Sequence, residues 1–210
     1  MALDMDPDAA RPFIERAQPN HPSLIDEAHL VDERLAITNV PNGVWIDERG
    51  MIVRPAEPAF PVRPNYLGPR AQVSMPPRLA EMLEEAKKIR IEPEKYVAAV
   101  RDWAERGSES RYALSPPEVM RRSGTRHVGE AMAAARFELG QHLYHIGRVD
   151  SAIAHFREAH RLQPDNWTYK RQAWSLADPL QGPTDVYDSD WLTDVRRIGA
   201  ENYYPPLEMN

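Results

Sequence analysis

Histidine side chains are the residues of this sequence whose spacing most resembles a chemical site. His142 and His145 lie three residues apart, and His155 and His160 follow on the next predicted helix. A zinc site needs several converging ligands, each oriented by a further partner. No acidic residue joins these histidines at a suitable spacing. Solvated or groove histidines explain the pattern, and the sequence predicts no metal site.

The residues and motifs required for other kinds of catalysis are also missing from the sequence. The sequence contains no cysteine, so it forms no disulfide, binds no metal through thiolates and has no cysteine nucleophile. The dinucleotide fingerprint, the phosphate loop and the serine-hydrolase elbow are absent from it. We therefore expect no catalytic residue and no cofactor, and this chain is not expected to be an enzyme by itself.

Charge and hydropathy limit the partners. The net charge of -6 provides no positive surface for nucleic acid or for an anionic membrane. No apolar stretch is long enough to span a bilayer, and acidic residues stand where a signal peptide would carry basic ones. The expected location is the cytoplasm, with no nucleic acid and no membrane as partners.

Proline divides the sequence into modules. Of its 20 prolines, seven fall between residues 55 and 77, where each removes a backbone donor and restricts its predecessor to extended geometry. This segment is predicted to be neither helix nor central strand, but an extended connector. We predict an α+β fold with a small unit at 1–60, a proline-rich linker at 61–77, a helical region at 78–178 and an aromatic-rich tail at 179–210.

Helical spacing of apolar residues dominates the sequence after the linker. Ser115 is a typical N-cap, and Glu118 is positioned to complete a capping box at the start of one helix. The strongest pattern is a pair of amphipathic helices around a turn at Gly147 and Arg148. Helices are predicted at residues 6–17, 79–90, 94–107, 127–147, 150–162, 166–177 and 190–199, and another starts at Ser115–Glu118 and is broken after about two turns by RRSGTRH, residues 121–127.

A β-hairpin is predicted before the linker. Two apolar-rich runs, at residues 44–47 and 51–54, flank a short loop that ends in Gly50. Glycine adopts the left-handed conformation that such a loop requires.

Residues 133–166 resemble a tetratricopeptide repeat, a helix-turn-helix unit that stacks on its neighbours. Gly140 and Ala152 are small where the two helices would cross closely, while larger apolar residues would fill the space between the helices. The matching positions are Leu139, Gly140, Leu143, Ala152, Phe156, Ala159 and Pro164. The resemblance implies one repeat and a following helix, which must lean on other helices or on another chain.

The first helix of each such repeat lines a concave groove in the family. By this resemblance, the groove positions are Phe137, Gln141, Tyr144 and His145, with Arg171 from the following helix. Two interpretations remain open. The helices either only stabilise the fold, or their groove binds a segment of a partner protein.

Residues 1–60 resemble the second half of a thioredoxin-like domain of the alkyl hydroperoxide reductase and thiol-specific antioxidant superfamily. The opening MALD corresponds to the end of a central strand, and the hairpin corresponds to the closing antiparallel pair. Pro41 corresponds to the proline that is cis in the family, and Val40 with Pro41 corresponds to its contact with the substrate backbone. The family's chemistry resides in a C-x-x-C pair at a helix N-terminus, and this chain contains no cysteine.

Half of such a sheet leaves unpaired strand edges and an uncovered apolar face. The helical region, a second chain, or further sequence before Met1 could cover them, and the last two are the hypotheses we favour. The final 45 residues are rich in tryptophan and tyrosine, which form either core or an interaction surface.

The sequence thus favours a non-catalytic interaction or assembly module, with a protein partner or a second copy of the chain. The alternative is part of a thiol-disulfide oxidoreductase or peroxide-reducing redoxin whose C-x-x-C half lies upstream.

Overall fold

The computed structural model describes residues 1–64, 76–183 and 185–209. The chain divides into two compact units, each built from two separate stretches. Unit 1 comprises residues 1–38 and 125–177, and unit 2 comprises residues 39–124 and 178–210. These units group the sequence differently from the segments predicted above, which stay a prediction. Most of the predicted linker at 61–77 lies outside the described residues.

The described residues form both helices and two small sheets, with helices predominating, which confirms the mixed composition of the α+β prediction. Prolines stand at the first positions of α1, α3, α4 and α5, where the missing N–H costs no hydrogen bond. The elements are β1 (Ala2–Leu3), α1 (Pro7–Ala17), β2 (Ile25–Asp26), α2 (Leu30–Arg34), β3 (Asn42–Ile46), β4 (Ile52–Pro58), α3 (Pro77–Ala86), α4 (Pro93–Arg106), α5 (Pro116–Ser123), α6 (Val128–His145), α7 (Val149–Leu162), α8 (Trp167–Ala177) and α9 (Trp191–Ile198). Short 3₁₀ turns occupy Gly107–Glu109 and Ala200–Asn202.

Every predicted helix is present, but the capping box predicted at the start of α5 is wrong. The side chain of Ser115 forms no cap hydrogen bond before α5. Glu118 does not return to the backbone, and instead accepts hydrogen bonds of 2.7 Å from Arg121 and Arg122. Charged donors one turn further along form stronger hydrogen bonds than a neutral backbone N–H, so they take the carboxylate from the capping box.

Unit 1 is centred on the antiparallel pair of α6 and α7. Gly147, at a left-handed φ of 80°, closes the predicted turn between them. Leu143 and Phe156 are buried between the helices as predicted, but Leu139 is 41% exposed. The buried stripe of α6 runs through Ala133, Phe137 and Gly140, and Leu139 lies off that stripe because one residue turns a helix by about 100°.

The first stretch of unit 1 is tied to α8. The carbonyl oxygen of Thr38 accepts hydrogen bonds from the backbone N–H groups of Trp167 and Thr168, at 2.7 and 3.2 Å. These two donors lie in the first turn of α8, where no helical partner exists for them. Asn166 supplies a further cap, because its Oδ1 accepts from the backbone N–H of Tyr169 at 3.1 Å.

Strands pair in two separate two-stranded sheets. In unit 1, β1 and β2 pair in parallel, with Ala2 opposite Ile25. In unit 2, β3 and β4 form the predicted antiparallel hairpin, and Gly50 has a left-handed φ of 77°. No pairing between described residues joins the two sheets, so these residues do not form the single sheet that the thioredoxin-like resemblance implies.

The hairpin of unit 2 continues further than predicted. β4 ends at Pro58 rather than at residue 54, because prolines are tolerated on an edge strand. The Val40–Pro41 peptide bond before the hairpin is cis, as the resemblance implied.

Trp45 of β3 anchors the core of unit 2. Its ring stacks on Trp103 of α4, with 4.9 Å between the ring centroids. Arg54 is 2% exposed and donates to both carboxylate oxygens of Glu57 and to the carbonyl oxygens of Tyr112 and Glu208. These bonds hold the residues around Glu208 against the hairpin.

Aromatic residues near the C-terminal end are core residues. Those of unit 1 lie on α8, and those of unit 2 lie on α9 and the segments around it. Trp167, Tyr169, Trp174, Tyr187, Trp191, Tyr203 and Tyr204 are all at most 7% exposed. Of the two interpretations left open by the sequence, burial in the core is confirmed.

Candidate functional site

The predicted groove of the repeat is partly filled by unit 1 itself. Phe137 is 1% exposed and Gln141 is 7% exposed. Gln141 donates from Nε2 to the carbonyl oxygen of Glu27 at 3.3 Å. The ring of His29 meets the ring of Phe137 edge to face, with centroids 5.1 Å apart. Residues 27–29 therefore cover these two groove positions.

The remaining groove positions are more open. Tyr144 is half-buried, and His145 is exposed at the end of α6. Arg171 is half-buried on α8. The structure thus keeps Phe137 and Gln141 together under residues 27–29 and leaves the other three accessible from solvent.

Val40 and Pro41 lie in unit 2 and not with the groove residues. Pro41 is exposed. The backbone N–H of Val40 donates to Asn39 Oδ1 at 2.9 Å, and its carbonyl oxygen accepts from the Tyr204 hydroxyl at 2.6 Å. A peptide that used the backbone of Val40 would have to displace these internal partners.

Asp26 shapes the segment that covers the groove. Its carboxylate accepts hydrogen bonds from the backbone N–H groups of Leu30, Val31 and Asp32, at 2.7 to 3.1 Å. Capping by a carboxylate satisfies the otherwise unpaired donors at the start of α2. His29, which precedes α2, has a left-handed φ of 54°. This geometry turns the chain sharply onto α6.

His29 is held from both sides of its ring. Nδ1 lies 2.9 Å from Asp32 Oδ2, and Nε2 lies 3.3 Å from Gln172 Oε1. The histidine is 3% exposed and Asp32 is fully buried. Two hydrogen-bond partners on opposite sides fix the ring orientation, so the segment is anchored to α8 as well as to α6.

A cavity of about 210 Å³ opens beside this anchored segment, entirely within unit 1. Alanines of α6 form one wall, and the rings of Phe137 and Tyr169, which stack at 4.2 Å between centroids, form another. Polar groups surround its mouth. The lining residues are Ala28, His29, Leu30, Glu33, Arg126, Ala131, Ala134, Ala135, Phe137, Glu138 and Tyr169.

The charged side chains around this cavity do not balance one another. Arg126 forms an ion pair with Glu33. Glu138 is exposed and has no ion pair with any residue the structure describes. Burial, with the nearby carboxylates of Asp32 and Glu33, raises the pKa of the Tyr169 hydroxyl. The cavity therefore presents a neutral phenol and one unbalanced carboxylate.

The outer face of α6 carries an apolar stripe. Met132, Leu139 and Ile146, spaced seven residues apart, are 45%, 41% and 55% exposed. Positions seven apart lie on one face of a helix. Ala135, which lines the cavity, lies one turn from both Met132 and Leu139 and is exposed as well. The stripe and the mouth of the cavity are therefore adjacent.

A second cavity, of about 410 Å³, lies in unit 2 beside β4 and α5. Its arginines are already paired: Arg54 with Glu57, Arg121 with Glu118, and Arg122 with both Glu118 and Glu208. Pairing neutralises the positive charge that would otherwise attract an anion.

The described residues contain neither a cluster of metal-ligating side chains nor a helix that could span a membrane. Its His, Asp and Glu side chains form no group of three or more that could hold a metal ion. His155, one of the four histidines considered above, has its Nδ1 3.3 Å from the Arg136 guanidinium. Among the described helices, none has the length and apolarity to cross a bilayer.

Sequence reasoning missed most of the cavity. Phe137 was expected to line a groove, but His29, Glu33, Glu138 and Tyr169 were not singled out as site residues. His29 and Glu33 carry no local signal, because they lie at least 95 residues from α6 in sequence. A helical projection of α6 does place Glu138 beside Ala134 and Ala135, and could have found it.

Comparison with known families supports the helical part of the sequence interpretation. Residues 133–166 match the family model described as tetratricopeptide repeat. No thioredoxin-like or redoxin family model matches the chain. No curated protein and no solved structure matches it either. A tetratricopeptide repeat is therefore present at residues 133–166, in the helical pair where Gly140 and Ala152 predicted it.

Proposed function

We propose that this chain is a non-catalytic protein–protein interaction or assembly module, and that its tetratricopeptide repeat supplies the binding surface. Helical repeats bury their faces on neighbouring repeats, and helical surfaces of this kind bind protein segments. The proposed partner is another protein or a second copy of the chain, met in the cytoplasm.

The exposed stripe of α6 carries the proposal. Met132 and Leu139 on α6, with Ile146 at the C-cap of this helix, expose three large apolar side chains in a line. Single exposed apolar residues are common, whereas an aligned set marks an interaction site. An amphipathic helix of a partner can bury this line with its own apolar face.

The groove positions form the second part of the proposal. Tyr144, His145 and Arg171 are accessible to a partner as the chain stands. Phe137 and Gln141 become accessible only when residues 27–29 move, because those residues now contact both. Binding at Val40 and Pro41 would likewise require displacement of internal hydrogen bonds.

Peptide selection tests this proposal. A displayed library of random peptides, about 16 residues long so that a helix can form, is selected on the full chain. We expect amphipathic binders whose Kd rises more than about tenfold for the variant M132Q/L139Q/I146Q, since the buried anchors of an interface supply most of its binding energy. The matched control is M51Q/M120Q/L180Q, which removes three exposed apolar side chains from unit 2.

Equal binding to both triple variants would overturn the stripe as the binding surface. A selection that enriches no binder, combined with a monomer in sedimentation velocity at all concentrations, would overturn the interaction function itself. Circular dichroism of each variant verifies that the helices are retained.

The second candidate function is a redoxin fragment, namely part of a thiol-disulfide oxidoreductase or peroxide-reducing enzyme. It is favoured by one observation, the antiparallel hairpin after Pro41, which fits the closing strand pair of the thioredoxin-like resemblance of residues 1–60. The β1–β2 pair forms a separate sheet among the described residues and gives this candidate no support. The cysteine-free chain cannot itself exchange a disulfide. An in-frame C-x-x-C followed by a helix in the gene upstream of Met1 would support it, and its absence there would reject it.

A further inference from the structure

We propose that the cavity beside α6 receives a basic side chain, arginine or lysine, carried by the protein segment that binds the α6 stripe. The inference deepens the proposed interaction function and rests on it. It names the chemistry that the partner must present at one position.

The cavity lies where the partner segment that covers the α6 stripe can insert one of its side chains. Ala135 both lines the cavity and lies between Met132 and Leu139 on the exposed face. A segment that covers the stripe therefore passes over the mouth of the cavity. The volume of about 210 Å³ is below the roughly 300–1,000 Å³ of drug-sized ligand sites, so it suits one side chain rather than a cofactor.

Charge selects the type of side chain. The positive charge of Arg126 is matched by Glu33, and the carboxylate of Asp32 is buried beside His29. Glu138 adds an exposed carboxylate with no ionic partner among the described residues. A cation entering the cavity meets net negative charge, whereas a partner carboxylate would be repelled.

The hydroxyl of Tyr169 is a second feature of the cavity that favours a basic side chain. Tyr169 is 3% exposed and lines the cavity. Its hydroxyl forms no hydrogen bond within the described part of the chain. The hydroxyl oxygen is not among the fully buried unpaired atoms of the described residues, so it is an accessible, unused acceptor for an ammonium or guanidinium N–H in the cavity.

The walls fit the rest of such a side chain. Long basic side chains bury their methylene stems on apolar surface while the charged end reaches polar groups. Here the alanines of α6 and the edge of the Phe137–Tyr169 stack supply apolar surface, and Glu138 and Tyr169 supply the polar end.

Small probes test the cavity without any partner. The full chain, labelled at alanine methyl groups, is titrated with n-butylguanidinium and n-butylammonium, and with butyrate and butyramide as anionic and neutral controls. We expect saturable NMR shifts at Ala131, Ala134 and Ala135 for both cations and none for butyrate. E138Q weakens cation binding by up to about fivefold, the upper end of the range for an exposed ion pair. E15Q, at an exposed glutamate of α1, leaves it unchanged.

The selected peptides provide the second measurement. Binders should carry lysine or arginine at one fixed position, and E138K should select against that residue while E15K does not. Peptides that bind the stripe without such a position, or butyrate that binds as well as the cations, would overturn the cation site and leave the interaction function standing. A selection without binders and a monomer in sedimentation velocity at all concentrations, together with saturable cation shifts, would instead overturn the interaction function and retain the site.

Discussion

Replacing Gly140 by alanine tests how closely α6 and α7 approach each other. A Cβ atom at residue 140 would lie 2.7 Å from Cε1 and 2.8 Å from Cδ1 of Phe156. Carbon atoms pack at about 3.5–4.0 Å. The ring must move, yet Phe156 is 1% exposed and tilts against Phe137 with 5.3 Å between the centroids. It therefore has little room to do so.

Two opposing terms determine the sign of the effect. Alanine favours a helix interior over glycine by about 1 kcal/mol. Overpacking a well-packed core by one methyl group costs about 1–3 kcal/mol. Because two ring atoms of Phe156 would lie under 3 Å from the new methyl group, we expect the upper part of that range. The free energy of unfolding of Gly140→Ala should fall by about 1–2 kcal/mol.

Gly129 provides a matched control on the same helix. A Cβ atom there would have its nearest contact at 3.8 Å, with the carbonyl oxygen of Leu162. Since nothing must shift, only the helix propensity remains, reduced by the position in the first turn. Gly129→Ala should be neutral or raise the free energy of unfolding by up to about 0.5 kcal/mol.

Urea unfolding followed by far-ultraviolet circular dichroism measures both variants, with an unchanged m-value as the condition for comparison. The double variant Gly140→Ala/Phe156→Leu should be less destabilised than the sum of its single changes by about 1 kcal/mol, because leucine vacates the space of the ring. If Gly140→Ala is as stable as the wild type, or if the two changes are additive, the close helix crossing is refuted.

Two further predictions concern charged groups of unit 2. Arg54→Met removes the buried donor that binds a carboxylate and two carbonyl oxygens, and it should lower the free energy of unfolding in urea by about 3–5 kcal/mol. The control Arg49→Met, at an exposed pair, should change this free energy by under about 0.5 kcal/mol. Similar losses for the two variants would contradict the assigned burial of Arg54. Hydrogen bonds from Arg121 and Arg122 lower the pKa of Glu118 from 4.5 to about 2. Its stabilisation is therefore complete above about pH 4.5 and lost as pH falls toward 2. A ¹³C NMR titration should show this midpoint and its rise in Arg121→Gln, and an unshifted midpoint would exclude these hydrogen bonds.

Local patterns in the sequence were sufficient for most of the secondary structure. The pair of helices around Gly147 and the hairpin that closes at Gly50 follow from residue spacing and from two glycines with left-handed backbone. Such features depend on neighbours a few residues away, so a single sequence contains their causes. The tetratricopeptide repeat was recognised for the same reason, because its small residues at the helix crossing lie in one continuous stretch.

The sequence did not show which of two competing hydrogen-bond partners a side chain would choose. Glu118 had two suitable partners nearby, the backbone of its own helix and the following arginines, and only the folded geometry chose the arginines. Leu139 matched the repeat signature yet remains exposed. A position in a repeat pattern does not specify whether a neighbouring repeat is there to cover it.

The candidate site was decided by tertiary structure. Nothing in residues 27–29 indicates that they cover Phe137 and Gln141, more than 100 positions away. The cavity likewise exists only because α2, α6 and α8 bring Glu33, Glu138 and Tyr169 around one space. Helix and turn preferences act over a few residues, whereas a cavity is made by side chains that meet only after distant segments have packed.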